Sequence, residues 1–465
     1  MKILFMIPIQ RAYVIMPPLG LGYLASLSIK KGHDARLLHC VLEKMTFEKF
    51  SEFISKNDFD LIGIQMNTID VNSVKKHIEI IKKLKPKTII VAGGSHPSCD
   101  PIGTMAEFKN LDFAFHAEAE IGFAKFLDWL KKNNAGKKNL AGLKKIPGLI
   151  WRDSKKIVAN PPAFVDDLSS LDFPAWSLMD PRSYPEAPHG AFAKNFPTAP
   201  MVITRGCPFQ CTFCAGKRIT GLKVRKRSIK NAIEEIEFLK KNYGVKEIMI
   251  EDENFTLHRH LVEEFCSSLI QKNLGISWSL PSGVRLDTLD ADLLKLMEKS
   301  GCYSVAVGIE FGSQRILNLT KKQLTIEKIK EKMGLFKKTN IKVTGFFMIG
   351  YPGETIEEIN STIKLALELP LQRAQFNGFM PLPGSEIYNT LVSEKKLGKL
   401  DTDRFFVHDV AFVSEGITRQ QLQNLRRKAY LLFYMRPKII AHLFEEIKSP
   451  RHLGLLLTRF FDSLK

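Results

Sequence analysis

Three cysteines fall within eight residues, Cys207-Pro208-Phe209-Gln210-Cys211-Thr212-Phe213-Cys214, directly after the apolar, β-rich run Met201 to Arg205. Soft thiolates on one loop suit zinc or an iron-sulfur cluster. A structural zinc site takes four protein ligands, and no cysteine or histidine at a close, paired spacing supplies the fourth. A cluster with three protein ligands keeps one iron open, which substrate-binding catalysis needs and electron transfer does not. Cys207, Cys211 and Cys214 are therefore the candidate catalytic residues and metal ligands.

Such a loop needs a rigid platform, and the surrounding sequence supplies one. Strand-like runs at Met201 to Arg205, Glu247 to Glu251, Ser277 to Leu280, Tyr303 to Glu310, Lys342 to Ile349 and Ala374 to Phe379 alternate with helical patterns, among them Ile229 to Lys241, Leu261 to Lys272, Leu293 to Lys299 and Ile326 to Lys338. Six β/α units over residues 198–400 predict a partial (β/α) barrel, with chemistry at the C-terminal ends of its strands.

Residues 1–150 alternate in the same way, with strands expected at Lys2 to Ile9, Asp34 to Cys40, Asp60 to Asn67, Thr88 to Gly93 and Asp112 to His116. That pattern predicts a Rossmann-like, doubly wound sheet in an α/β chain, whose ligands bind outside the strand C-termini, at Met66 to Thr68 and Gly93 to His96. Between the two units, residues 151–197 lose periodicity and gather prolines at 161, 162, 174, 181, 185, 188 and 197, as a connector does.

The Cys-x-x-x-Cys-x-x-Cys spacing, with aromatic Phe213 before the third cysteine, resembles the signature of radical S-adenosylmethionine (SAM) enzymes. That resemblance, running from about Thr198 to Tyr388, implies a 4Fe-4S cluster whose open iron chelates SAM, and reductive cleavage of SAM to a 5'-deoxyadenosyl radical. It implies SAM contacts from Phe213, from Asp252 and Glu253 in Glu251 to Phe255, from Glu310 in Gly308 to Ser313, and from Gly350, Tyr351 and Pro352 in an adenine-facing turn. Read alone, the acidic residues could cap the helices that follow, and the glycines could merely permit turns.

The first unit resembles the cobalamin-binding domain of one radical SAM subclass, through Pro17 to Ala25 and Gly93-Gly94-Ser95-His96-Pro97. The resemblance implies cobalamin contacts at Gly20, Met66, Thr68, Gly93, Gly94, Ser95, Glu118 and Glu120. Many relatives in this subclass carry Gly-Glu-Gly-Glu where this chain has Ala117-Glu118-Ala119-Glu120, and the chain, like much of the subclass, lacks the Asp-x-His-x-x-Gly element by which other cobalamin proteins coordinate cobalt. His96 is read as stabilising its turn, the alternative being a cobalt ligand. The expected reaction is methylation or another radical modification of an unactivated carbon in a lipid, pigment or natural product. The alternative is an oxidative cyclase or hydroxylase similar to the anaerobic magnesium-protoporphyrin ester cyclase branch, whose C-terminal tail Arg426 to Pro437 resembles. A flavodoxin or ferredoxin would supply electrons.

Composition narrows the classes further. The formal net charge of +19 favours an anionic partner or surface. No RNA-binding module is recognisable, which argues against a nucleic-acid enzyme. An iron-sulfur electron carrier is disfavoured by the missing fourth ligand. Cys40, Cys99, Cys266 and Cys302 lack ligand spacing and read as packing residues. The absence of a long apolar run and of a cleavage site points to a cytoplasmic chain. Within 401–465 the stretch from Ile417 is helical and basic, with Tyr430, Leu431, Phe433, Phe444, Leu455 to Leu457, Phe460 and Phe461 among its charges. It reads either as a cap on the barrel or as an interfacial helix in peripheral contact with a membrane.

Overall fold

The computed structural model describes residues 1–11, 14–133, 140–154, 156–186, 193–398, 401–406, 409–447, 453, 454 and 456. Of the apolar tail positions, Leu455, Leu457, Phe460 and Phe461 lie outside the described residues.

The first sheet begins with five parallel strands, β1 (Lys2–Ile7), β2 (Asp34–His39), β3 (Leu61–Gln65), β4 (Ile89–Gly93) and β5 (Phe113–Phe115), in the order β2-β1-β3-β4-β5. Alternation along β1 sends Ile3, Phe5 and Ile7 into one core and Leu4 and Met6 into the other, so both faces are buried under helices. Helices Leu19–Lys30 and Glu120–Lys132 cover the first face, where Phe123 packs edge-on against Phe5 and Phe115.

Two further strands, β6 (Leu149–Asp153) and β7 (Lys156–Ala159), extend the sheet antiparallel beyond β5. The sheet therefore runs past residue 150, into the stretch expected to be connector. Apolar Leu149 to Trp151 are fully buried, but the hairpin is too short to show a clear period.

The second sheet is wholly parallel. After β8 (Thr198–Met201) come a two-residue ribbon, β9 (Thr204–Arg205) with β10 (Arg225–Lys226), and then β11 (Glu247–Ile250), β12 (Ser277–Val284), β13 (Cys302–Glu310), β14 (Lys342–Ile349) and β15 (Arg373–Gly378). The order β15-β14-β13-β12-β11-β8 is an open, six-stranded partial barrel. The first strand ends at Met201 instead of Arg205 because backbone N–H groups just beyond it leave the ladder: Ile203 and Thr204 both donate to Asp252, at 2.7 Å.

The C-terminal helices Arg419–Tyr434 and Pro437–Glu445 close the free edge of β15. Tyr434 Oη donates to Ala374 O at 2.9 Å, and Tyr430 Oη accepts from Phe376 N at 3.3 Å. Four helical residues rise about 6 Å and two strand residues about 6.6 Å, so the tyrosines fall in step with the strand edge. The packing role of this segment is thus established by Leu422, Ala429, Tyr430 and Phe433, all buried. Among the described residues no helix is long and apolar enough to cross a membrane.

Candidate active site

The cysteine loop leaves the barrel through Gly206, whose φ of +100° and close approach to Lys223 O admit no side chain. Cys207 N donates to Gly221 O at 3.2 Å, Cys214 N to Cys211 O at 3.1 Å, and Gly216 N to Cys214 Sγ at 3.3 Å. Burial pushes all three thiols above their ordinary range, and each one also feels the charge of another cysteine of the set. All are free of disulfides.

Two cations that sequence reasoning passed over border the loop. The Arg285 guanidinium lies 3.7 Å from the centre of the Phe209 ring, and its Nη1 donates to Lys322 O at 2.9 Å. Lys322, itself buried, pairs with Glu310 at 2.8 Å. Arg285 was hidden because Pro281-Ser282-Gly283 reads as a turn that ends the strand at Leu280. The strand in fact continues to Val284 across a register irregularity.

The other strand-end residues divide. Glu253 is exposed, accepts from Gly206 N at 3.2 Å and contributes to the charge felt by Cys207. Glu310 adopts a left-handed φ of 69°, which turns the chain where β13 ends, and its charge reaches Cys211 and Cys214. Asp252 is different: it is buried, and its oxygens accept from Ile203 N, Thr204 N and Thr204 Oγ1. Burial pushes it up to about 7 despite those three donors. Its occupied oxygens make it a clamp on the chain before the cysteines, not a free SAM contact.

Gly350, with φ 81°, and Pro352 form the turn after β14. The expected ligand contact Tyr351 is buried and bonds Thr212 Oγ1 at 2.7 Å. Phe213 is half-buried against the barrel core.

A cavity of about 410 Å³ opens beyond β1, β3, β4 and β5 of the first sheet. Gly20, Gly93, Gly94, Ser95, Glu118 and Glu120 line it. A Cβ added to Gly20 or Gly93 would meet nothing within 4 Å, so these glycines leave a cradle. Met66 and Thr68 do not line it, and Gln65 and Asn67 do. Met66, one residue past β3, is buried in the core while its backbone bonds Gly93 O and His96 N. Gly94 is fixed by φ +118° and by Met66 O, 2.8 Å from its added Cβ. His96 is buried with Nδ1 3.3 Å from Thr68 Oγ1 and is not among the lining residues.

The cavity's roof comes from the second unit: Val202, Arg205, Ile219 and Thr220. Arg205 meets Glu120 at 2.8 Å and Glu118 at 3.5 Å, and Arg225 meets Glu118 at 2.7 Å. Neither arginine was singled out from sequence. The available signal was the position of Arg205, two residues before Cys207.

Residues 201–366 match the radical SAM superfamily model, and residues 7–127 match the B12 binding domain model. Over all of its length the chain is 31% identical to an uncharacterised methyltransferase of Pyrococcus horikoshii, 98% of which is covered. The chain belongs to the cobalamin-binding branch of the radical SAM superfamily. It is an enzyme of that family, which uses a 4Fe-4S cluster, SAM and cobalamin. This radical SAM chain is also 27% identical, over 81% of its length and 78% of the relative, to the cytidylyl-2-hydroxyethylphosphonate methyltransferase of Streptomyces wedmorensis. It is 26% identical, over 94% of its length and 77% of the relative, to the anaerobic magnesium-protoporphyrin IX monomethyl ester cyclase of Rubrivivax gelatinosus. Its fold is similar to that of the cobalamin-dependent radical enzyme OxsB, with a TM-score of 0.74 at 14% identity, covering 100% of this chain and 71% of the other.

The residues present fit both resident groups. Among the described residues no three metal-ligating side chains converge on one point where a single ion would sit. Cys207, Cys211 and Cys214 stand on one loop, and a cluster takes each thiolate on a different iron. In the first unit, the glycine cradle beside apolar Leu19, Phe115 and Phe123 suits a large planar ring.

Proposed function

We propose that this radical SAM enzyme methylates an unactivated carbon of a small molecule or lipid. Arg205 carries the reading: its side chain lines the first-unit cavity, and two residues later Cys207 opens the cluster loop. When bound, the cluster supplies the electron that cleaves SAM, and cobalamin supplies the methyl group. The protein's own part is to hold the two groups as neighbours and to exclude water between them. Cys207, Cys211 and Cys214 would hold the cluster, with Glu253, Glu310, Gly350 and Pro352 nearest the SAM side. Gly20, Gly93, Gly94, Ser95, Gln65 and Asn67 would receive the corrinoid.

Similarity to methyltransferases of Pyrococcus horikoshii and Streptomyces wedmorensis favours methyl transfer. The ester cyclase relative, matched over 94% of this chain, supports an oxidative second reading. Incubation with SAM labelled by deuterium in its methyl group separates them. A product carrying the labelled methyl supports transfer, whereas an unlabelled product that gains oxygen or loses hydrogen overturns it in favour of cyclisation or hydroxylation.

The electron donor is a small acidic flavodoxin or ferredoxin. A cavity of about 510 Å³ lined by Pro208, Phe209, Gln210, Lys321 and Gln323 gives it an approach beside the cluster loop of a chain with net charge +19. The enzyme works in the cytoplasm and touches anionic membrane surfaces through its C-terminal helices. Leu431, Leu432, Met435 and Phe444 are exposed there, beside basic Lys428 and Lys438.

A further inference from the structure

Four charges, three of them buried and Arg205 half-buried, sit where the two units meet. Glu118 Oε2 accepts from Arg225 Nη1 at 2.7 Å and from Val165 N at 3.1 Å, while Glu120 Oε1 accepts from Arg205 Nη1 at 2.8 Å. The Arg225 and Glu118 side chains are 2% and 5% exposed. The Arg205 guanidinium also lies 5.2 Å from the centre of the Tyr23 ring, on a helix of the first unit. Removing one member of such a set strands a charge out of water, so the four act together.

Adhesion alone does not account for two features. Glu118 lines the cavity, yet its Oε1 accepts no hydrogen bond and has only the Arg205 guanidinium 3.5 Å away. A buried acceptor left unpaired is destabilising, and a ligand N–H would satisfy it. The corrin periphery carries primary amides that offer such donors. The second feature is at the other end of the set. Arg205 pairs with Arg225 in the short ribbon, and the backbone just before Cys207 is held from the opposite side, Ile203 N and Thr204 N by Asp252 and Gly206 N by Glu253. With Gly206 pressed against Lys223 O, the segment has little slack, and a displacement of Arg205 reaches Cys207.

We propose that Glu118, Glu120, Arg205 and Arg225 form an electrostatic latch that makes cobalamin binding in the first unit and cluster assembly in the second favour each other. Glu118 is the acceptor for a corrin amide, and Arg205 is the positioning residue that carries the effect to the cysteine loop. The inference rests on cobalamin occupying the first-unit cavity. Linkage makes the effect reciprocal: if the cluster raises cobalamin affinity, cobalamin raises cluster stability by the same factor.

The test is an anaerobic absorbance titration of hydroxocobalamin into the full chain, with and without a reconstituted cluster. Wild type binds about 10-fold more tightly with the cluster, within the usual range of such couplings. In Glu118→Gln and Glu120→Gln the ratio falls to near one while the cluster still assembles. Arg205→Lys, which keeps the charge but loses the planar guanidinium that reaches both Glu118 and Glu120, gives the same result if a glutamine variant does not fold. A wild-type ratio of one, or an unchanged ratio in the variants, overturns the latch. Absence of hydroxocobalamin binding by either wild-type form would remove the cobalamin reading itself, and the latch with it.

Discussion

Thr212 Oγ1 and Tyr351 Oη lie 2.7 Å apart, joining the middle of the cysteine loop to the turn that follows β14. Thr212 is held on two more sides, its N–H donating to Thr320 O at 3.1 Å and its carbonyl accepting from Ile387 N at 3.0 Å. One residue after Cys211, the loop is therefore fixed by three separate parts of the barrel before any cofactor arrives. Each of Tyr351→Phe and Thr212→Val should destabilise the protein by about 1 kcal/mol, the double variant by clearly less than the sum. Urea unfolding of the four proteins checks this, and fully additive losses would show that the two hydroxyls do not act as a pair.

Glu354 gives a pH signature. It is buried, accepts from Gly350 N at 2.7 Å and Tyr351 N at 3.1 Å, and is pushed up by burial to about 8. A carboxyl whose folded value lies above its unfolded one binds more protons in the folded state, so its contribution to stability falls as pH rises from about 4.5 to about 8. The slope is at most about 1.4 kcal/mol per pH unit. Glu354→Gln should remove this component, leaving the variant less pH-sensitive than wild type between pH 5 and pH 8 in urea unfolding of the metal-free protein.

Ala117 has a left-handed φ of 57°. The strain on an L-residue there is about 1–2 kcal/mol, partly offset by the greater freedom that glycine has in the unfolded chain. Ala117→Gly should therefore raise stability by about 0.5–1 kcal/mol, measured by urea unfolding. Ala119, at an ordinary φ of −101°, carries no such strain, and Ala119→Gly should not stabilise.

Much of this architecture was legible because its signals are periodic. Buried parallel strands such as Ile89–Gly93 and helices such as Val71–Leu84 announce themselves within a few residues. The cysteine spacing was equally local. What escaped reading depended on contacts distant in sequence: Asp252 had its oxygens taken by residues 48 and 49 positions earlier, and Arg205 found Glu120 across 85 positions. Met66 failed for a nearer reason: just past β3 it is buried in the core, between cavity-lining Gln65 and Asn67. The tail's two readings could not be separated by amphipathicity, because tyrosines that seal a strand edge and apolar residues that face outward share one helix.

That shared helix decides how membrane contact should be probed. Deleting the tail would uncover the edge of β15, so surface substitutions are the better instrument. Met435→Ser with Phe444→Ser, both more than 60% exposed in the parent, should leave stability within about 0.5 kcal/mol. The pair should also reduce sedimentation with phosphatidylserine vesicles several-fold. Equal sedimentation would leave these helices with the packing role alone.

The central claim is that Cys207, Cys211 and Cys214 hold the cluster that cleaves SAM. Its most direct measurement is 5'-deoxyadenosine formed by the full chain after anaerobic reconstitution with iron and sulfide, in the presence of SAM and a strong reductant. Wild type should form it, and the variant with all three cysteines changed to alanine should bind no cluster and form none. Equal yields from the two proteins would contradict the account.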